Sequence, residues 1–130
     1  MSTIVVAYSP DEYGQAALAR AIEEARLRDG DLLVINGTRG DALVDERYAH
    51  ADQLAEIETD LATTGLPFEV RQTFGADVGD QVIEAAERSG AELIVIGVRR
   101  RTPVGKLLMG SVSQRVILGA ECAVLAVKPD

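Results

Sequence analysis

Apolar residues fall along this chain in two rhythms. Unbroken runs rich in β-branched residues recur at Thr3-Ile4-Val5-Val6-Ala7, Leu32-Leu33-Val34-Ile35, Leu93-Ile94-Val95-Ile96 and Ala123-Val124-Leu125-Ala126-Val127. Runs of this kind are strands of a parallel sheet buried on both faces. Between them the apolar positions repeat at helical spacing. Ala16, Ala17, Ala21, Ile22 and Ala25 follow Ser9-Pro10-Asp11, where Pro10 sets a turn and Asp11 can cap the helix; Asp29-Gly30 closes it. Asn36-Gly37 is expected to end the second strand, and Thr38 to Glu46 reads as a polar connection. From Tyr48 to Thr63 a second helix distributes Ala51, Leu54, Ala55, Ile57, Glu58 and Leu61 over two faces, ending at Thr64-Gly65-Leu66-Pro67. Phe68, Val70, Gln72 and Phe74 then alternate with polar residues, the signature of a half-wet edge strand. Gly75-Ala76-Asp77 leads into a helix with Val78, Val82, Ile83 and Ala86 on one stripe, closed by Ser89-Gly90, and Val112 to Leu118 forms the last amphipathic segment.

Five strands alternating with four helices predict an α/β fold: a five-stranded parallel sheet, doubly wound, with helices on both faces and right-handed crossovers. The first strand is expected at the centre beside the fourth. Ligands of such sheets sit beyond the carboxyl ends of the strands where chain order reverses. Ser9, Gly37 and Gly97 all fall at carboxyl ends, so three distant loops are expected to meet at one crevice.

Composition narrows the class. A length of 130 residues suits one domain, residues 1–130, with no linker. The 47% apolar content, carried by Ala, Val, Leu and Ile, is that of a packed domain rather than a disordered chain. No run approaches the roughly 20 apolar residues of a membrane span, and the chain enters its first strand without a basic leader, so a cytoplasmic location is expected. The net charge of −8 argues against nucleic acid and anionic membrane as partners. A single cysteine, Cys122, excludes an internal disulfide and is expected to be a buried thiol. The lone histidine, His50, is expected on the surface, and no His or Cys set has transition-metal spacing.

Against this acidic background one stretch is basic. After the fourth strand, Gly97 opens a loop carrying Arg99, Arg100, Arg101 and Lys106 and no carboxylate, and Gly110-Ser111 begins the last helix with Val112 and Ser113. Strand, glycine loop and helix start in that order present unpaired backbone N–H groups to an anion. The loop lacks the lysine-serine or lysine-threonine ending of a P-loop, and Ser111 has neither a nucleophile-elbow sequence nor a histidine partner, so catalysis is not called for.

This stretch, with the five-strand pattern and the closing Val127-Lys128-Pro129, resembles the universal stress protein family over the whole chain. Nucleotide-binding members carry glycine, two residues, glycine, nine residues, glycine, then serine or threonine. Gly97, Gly110 and Ser111 match at the full interval; Arg100 replaces the second glycine, and Ser9 stands where aspartate is usual. The resemblance implies an adenine nucleotide alpha hydrolase-like fold that binds ATP, with Mg as a possible companion, and at most slow hydrolysis. It places Ala7, Tyr8, Ser9 and Gly37 beside adenine and ribose, and Gly97, Arg99, Arg100, Gly110, Ser111, Val112 and Ser113 around the phosphates. It also implies a role in stress-response signalling and a homodimer formed through the last strand, which would cover an apolar sheet edge. Some members are dimeric modules that bind no nucleotide, and both departures point towards that alternative.

Several residues read in two ways. Gly97 either admits close backbone approach to a phosphate or a positive φ that a Cβ would penalise, or simply ends a strand. Gly110 and Ser111 offer amides and a hydroxyl to an anion or form an ordinary N-cap. Arg100 either blocks the cradle or pairs with phosphate through its forked guanidinium. Ser9 either bonds the nucleoside or serves as a turn hydroxyl. Arg101 and Lys106 read as solvated loop charges.

Overall fold

The computed structural model describes residues 2–38, 48–99 and 110–129. Arg100, Arg101 and Lys106, and most of the connection expected after Thr38, lie outside the described residues. The elements run β1 (Thr3–Ala7), α1 (Glu12–Arg28), β2 (Asp31–Thr38), α2 (Ala51–Ala62), β3 (Phe68–Phe74), α3 (Val78–Ser89), β4 (Leu93–Gly97), α4 (Ser111–Gly119) and β5 (Ala123–Val127). All four strand pairings are parallel, and the sheet order is β3-β2-β1-β4-β5. Chain order therefore reverses across β1, whose neighbours are β2 and β4.

The two-sided burial follows from the period of two in a strand. Ile4, Val6, Leu32, Val34, Leu93 and Val95 face one way and pack against Ala17, Ala21 and Ala25 of α1 and Ile57 and Leu61 of α2. Val5, Leu33, Ile35, Ile94 and Ile96 face the other way onto Val82, Ala85 and Ala86 of α3 and Val116 of α4. Small alanines on α1 and α3 let those helices lie close to the sheet. Burying one such Val, Leu or Ile side chain contributes about 1.5–3 kcal/mol, and both faces share that gain.

Four expectations are corrected. Strand β2 does not end before Asn36: it continues through Asn36, Gly37 and Thr38, paired with Gln72, Thr73 and Phe74. The turn propensity of Asn-Gly is overridden because Asn36, fully buried, finds long-range partners: its Nδ2 donates to the Tyr8 carbonyl at 2.9 Å, and its Oδ1 accepts from Ala49 N at 2.8 Å and Gln72 Nε2 at 3.1 Å. Helix α2 starts at Ala51 rather than Tyr48. His50 precedes it on the surface, with its backbone N–H bonded to Gln53 Oε1. The Tyr48 ring instead lies 5.8 Å from that of Phe74, which is 62% exposed rather than packed under the edge strand. Cys122 is half-buried against the α3/α4 face, not fully enclosed; burial still pushes its thiol above the ordinary value.

Candidate functional site

A crevice of about 200 Å³ opens at the carboxyl edge of the sheet, over the reversal between β1 and β4. Of the residues singled out by sequence, Ala7, Tyr8, Ser9, Gly37, Gly97, Arg99, Gly110, Ser111, Val112 and Ser113 all line it. Arg100 lies outside the described residues. Sequence reading missed Asp11, Tyr13, Gly14, Ile35, Val78, Val82, Ile96 and Val98 as wall residues. Those from α3 and from the ends of β2 and β4 are brought in by topology and carry no local signal.

Three helices, α1, α3 and α4, begin at this rim, and the chain treats their N-termini differently. The four leading N–H groups of a helix lack intrahelical partners and carry the positive end of the helix dipole. In α1 the Asp11 carboxylate accepts from Gly14 N at 2.9 Å, and Glu12 adds charge to the first turn. In α3 the Asp77 carboxylate accepts from Asp80 N at 2.9 Å, with Asp80 itself in the first turn. Helix α4 is capped by Gly110, which has no side chain to offer, and its first turn, Ser111-Val112-Ser113, contains no acid. Two helix starts are thus closed by internal counter-charges, and the third has none among the described residues, with Arg99 in the same wall.

The position of α4 is set from two sides. Ser113 is buried and its Oγ donates to the Gly97 carbonyl at 3.3 Å, joining the first turn of the helix to the end of β4. Arg115 pairs through Nε with Asp80 Oδ1 at 2.5 Å, and its stem fills the space that a side chain at Gly79 would need. Because Gly110 is the cap and Ser111 the first helical residue, Ser111 is not the N-cap that a local reading allows.

Gly97 ends β4, as one sequence reading has it, and it also serves packing. Its φ is not positive, and a Cβ built there would run into the backbone of Tyr13, 2.9 Å from Cα and closer still to the carbonyl. Its lack of a side chain lets the start of α1 rest on the end of β4. Gly110 is the opposite case: its φ is −68°, and a Cβ would meet nothing within 4 Å among the described residues.

The remaining wall comes from the loop after β1. Ser9 Oγ donates to Asp11 Oδ1 at 2.8 Å, and the Ser9 carbonyl accepts from Asp11 N at 2.8 Å. Ser9 therefore does serve the turn, while still facing the crevice. The Tyr8 phenol accepts from Gln15 Nε2 at 3.0 Å. Burial pushes its pKa above the ordinary value, and the Asp11 and Glu56 carboxylates add to the shift. At the β2 side, Gln81 donates to the Thr38 carbonyl at 3.0 Å and accepts from Thr73 Oγ1 at 2.5 Å, holding the strand end that carries Gly37.

Fold and site together define a doubly wound α/β protein with a crevice at its switch point. The profile of the universal stress protein family matches residues 1–128. A universal stress protein of Mycolicibacterium smegmatis is 52% identical over 126 residues, covering 97% of each chain. Among solved structures, a universal stress protein from Archaeoglobus fulgidus superposes with a TM-score of 0.80 at 28% identity, covering 98% of both chains. Another, solved in complex with cAMP, gives 0.74 at 27% identity, covering 99% of this chain and 98% of the other. The chain belongs to the universal stress protein family.

Proposed function

We propose that this protein binds an adenine nucleotide, ATP, in the crevice and that occupancy is its signal in a stress response. The observation that carries the proposal is the contrast among the helix starts: α1 and α3 are closed by Asp11 and Asp77, and α4 has no such carboxylate among the described residues. Phosphate oxygens accept from the amides at Ser111, Val112 and Ser113, and Arg99 supplies a fork of donors from the other side. The dipole of α4 contributes about 0.3–1 kcal/mol and each charge-assisted hydrogen bond about 1.5–3 kcal/mol. The base lies towards Ile35, Gly37, Val78 and Val82, the apolar part of the wall. The relative bound to cAMP supports an adenine nucleotide as the ligand class. Mg enters on the triphosphate oxygens rather than as a resident ion of the chain. Binding, not turnover, is the proposed activity, exercised in the cytoplasm.

We further read β5 as the dimer seam. It pairs with β4 alone among the described residues, its other edge is open, and Leu118 just before it is 83% exposed. Sedimentation at micromolar concentration should give twice the chain mass; a monomer would overturn the seam.

The test of binding is calorimetric titration with ATP, backed by chromatography of what the heated protein releases. The wild type should bind ATP, and Gly110→Trp should bind at least tenfold more weakly while melting within a few degrees of it. No heat and no released adenine nucleotide from the wild type would leave the other reading, a dimeric stress-response module without a nucleotide.

A further inference from the structure

The strand order fixes a sequence of positions across the crevice. Gly37 and Ile35 come from β2 on one side, the Ser9–Asp11 loop follows the central strand β1, and Gly97, Arg99 and the start of α4 stand on the β4 side. A nucleotide is likewise ordered, with base, sugar and phosphate along its length. If the base takes the apolar β2 side and the phosphates the α4 side, the sugar must fall on the middle loop.

That loop offers the crevice one charged group, the Asp11 carboxylate. Its Oδ1 is occupied twice, by Ser9 Oγ at 2.8 Å and Gly14 N at 2.9 Å, which fixes the plane of the carboxylate. Its Oδ2 makes no hydrogen bond among the described residues, and the residue lines the crevice. A carboxylate oxygen accepts and never donates. It repels phosphate and takes a neutral donor, and the sugar hydroxyls are the donors of a nucleotide at that place in its length.

We propose that Asp11 is the ribose-binding residue of this protein, its Oδ2 accepting from a sugar hydroxyl. It would then supply, two residues later, the carboxylate that Ser9 lacks, with Ser9 orienting it. The same assignment fixes the polarity of the ligand, since a phosphate cannot settle beside an ionised Asp11 while Arg99 and the open start of α4 are available. The assignment rests on the nucleotide reading of the crevice and adds to it a preference for sugars that keep a hydroxyl.

The experiment compares ATP with 2′,3′-dideoxy-ATP on the intact protein. A hydrogen bond to a charged group corresponds to roughly a tenfold to hundredfold difference in affinity, so wild type should favour ATP by at least about tenfold. Asp11→Asn keeps a residue that caps as well as aspartate, and Asp11→Ser keeps a cap too short to reach the sugar. Both should weaken ATP towards the dideoxy value, leave dideoxy-ATP nearly unchanged and shrink the ratio to within about threefold. Equal wild-type affinity for the two nucleotides overturns the assignment of Asp11 and leaves nucleotide binding standing. A ratio that survives in both variants does the same. No binding of either nucleotide by wild type overturns the reading beneath it.

Discussion

Gly97 and Gly110 belong to one glycine stretch, yet their surroundings predict opposite consequences of adding a methyl group. Gly97→Ala drives a Cβ into the Tyr13 carbonyl group and to 2.9 Å from its Cα. The obstacle is helix backbone held down by the packing of Ala17, Ala21 and Ala25, so it cannot swing aside as a side-chain tip would. Overpacking costs about 1–3 kcal/mol, and a backbone obstacle places this case near 3. For 130 residues the unfolding entropy near the midpoint is about 0.27 kcal/mol/K, so the melting temperature should fall by roughly 11 °C. Gly110→Ala, at φ −68° with open space around the new methyl, should change stability by no more than about 1 kcal/mol. Calorimetric melts of both variants without nucleotide provide the comparison. A Gly97→Ala protein that melts within 2 °C of wild type, by the same scale about 0.5 kcal/mol, would refute the close-approach account and return Gly97 to a purely ligand-facing role.

Two further outcomes are expected. Because burial and neighbouring carboxylates raise the Tyr8 pKa, the neutral phenol is favoured in the folded state; its contribution is fully present below the ordinary value of 10.0 and is lost as pH rises through the folded value. Urea midpoints between pH 9 and 11 should therefore fall, and Tyr8→Phe should flatten that fall; an equal slope in both proteins would show that Tyr8 is not responsible. Asn36→Leu removes the partner of the Tyr8 carbonyl and of the Ala49 N–H, at about 1–3 kcal/mol each, while Gln72 keeps its bond to the Ala49 carbonyl, so urea unfolding should show a loss of at least about 2 kcal/mol. A loss under about 1 kcal/mol would mean that water replaces the side chain.

What was legible in the sequence divides along local and long-range lines. Strands β1, β4 and β5, the Asp11 cap and the helix-ending glycine at Gly90 could be read because each is decided within a few residues, and alternation along β3 marked it as the edge. The end of β2 was misread because Asn36 and Gly37 carry turn propensity locally. Their fate is decided by Tyr8, Ala49 and Gln72, the last 36 residues away. The crevice shows the same division. Strand ends and the Gly110-Ser111 start announced themselves, whereas Val78 and Val82 enter only through the packing of α3 on the sheet.

The unequal treatment of the three helix starts has a practical corollary for anyone handling the protein. Among the described residues the chain supplies its own counter-charge at two ends and not at the third, so on the proposed reading the missing one would come from the medium. On that reading phosphate or sulfate in a buffer would compete for the same amides at Ser111, Val112 and Ser113 that a nucleotide would use. Apparent affinities measured in those salts will be lower than in chloride, and the shortfall itself reports how open that end is.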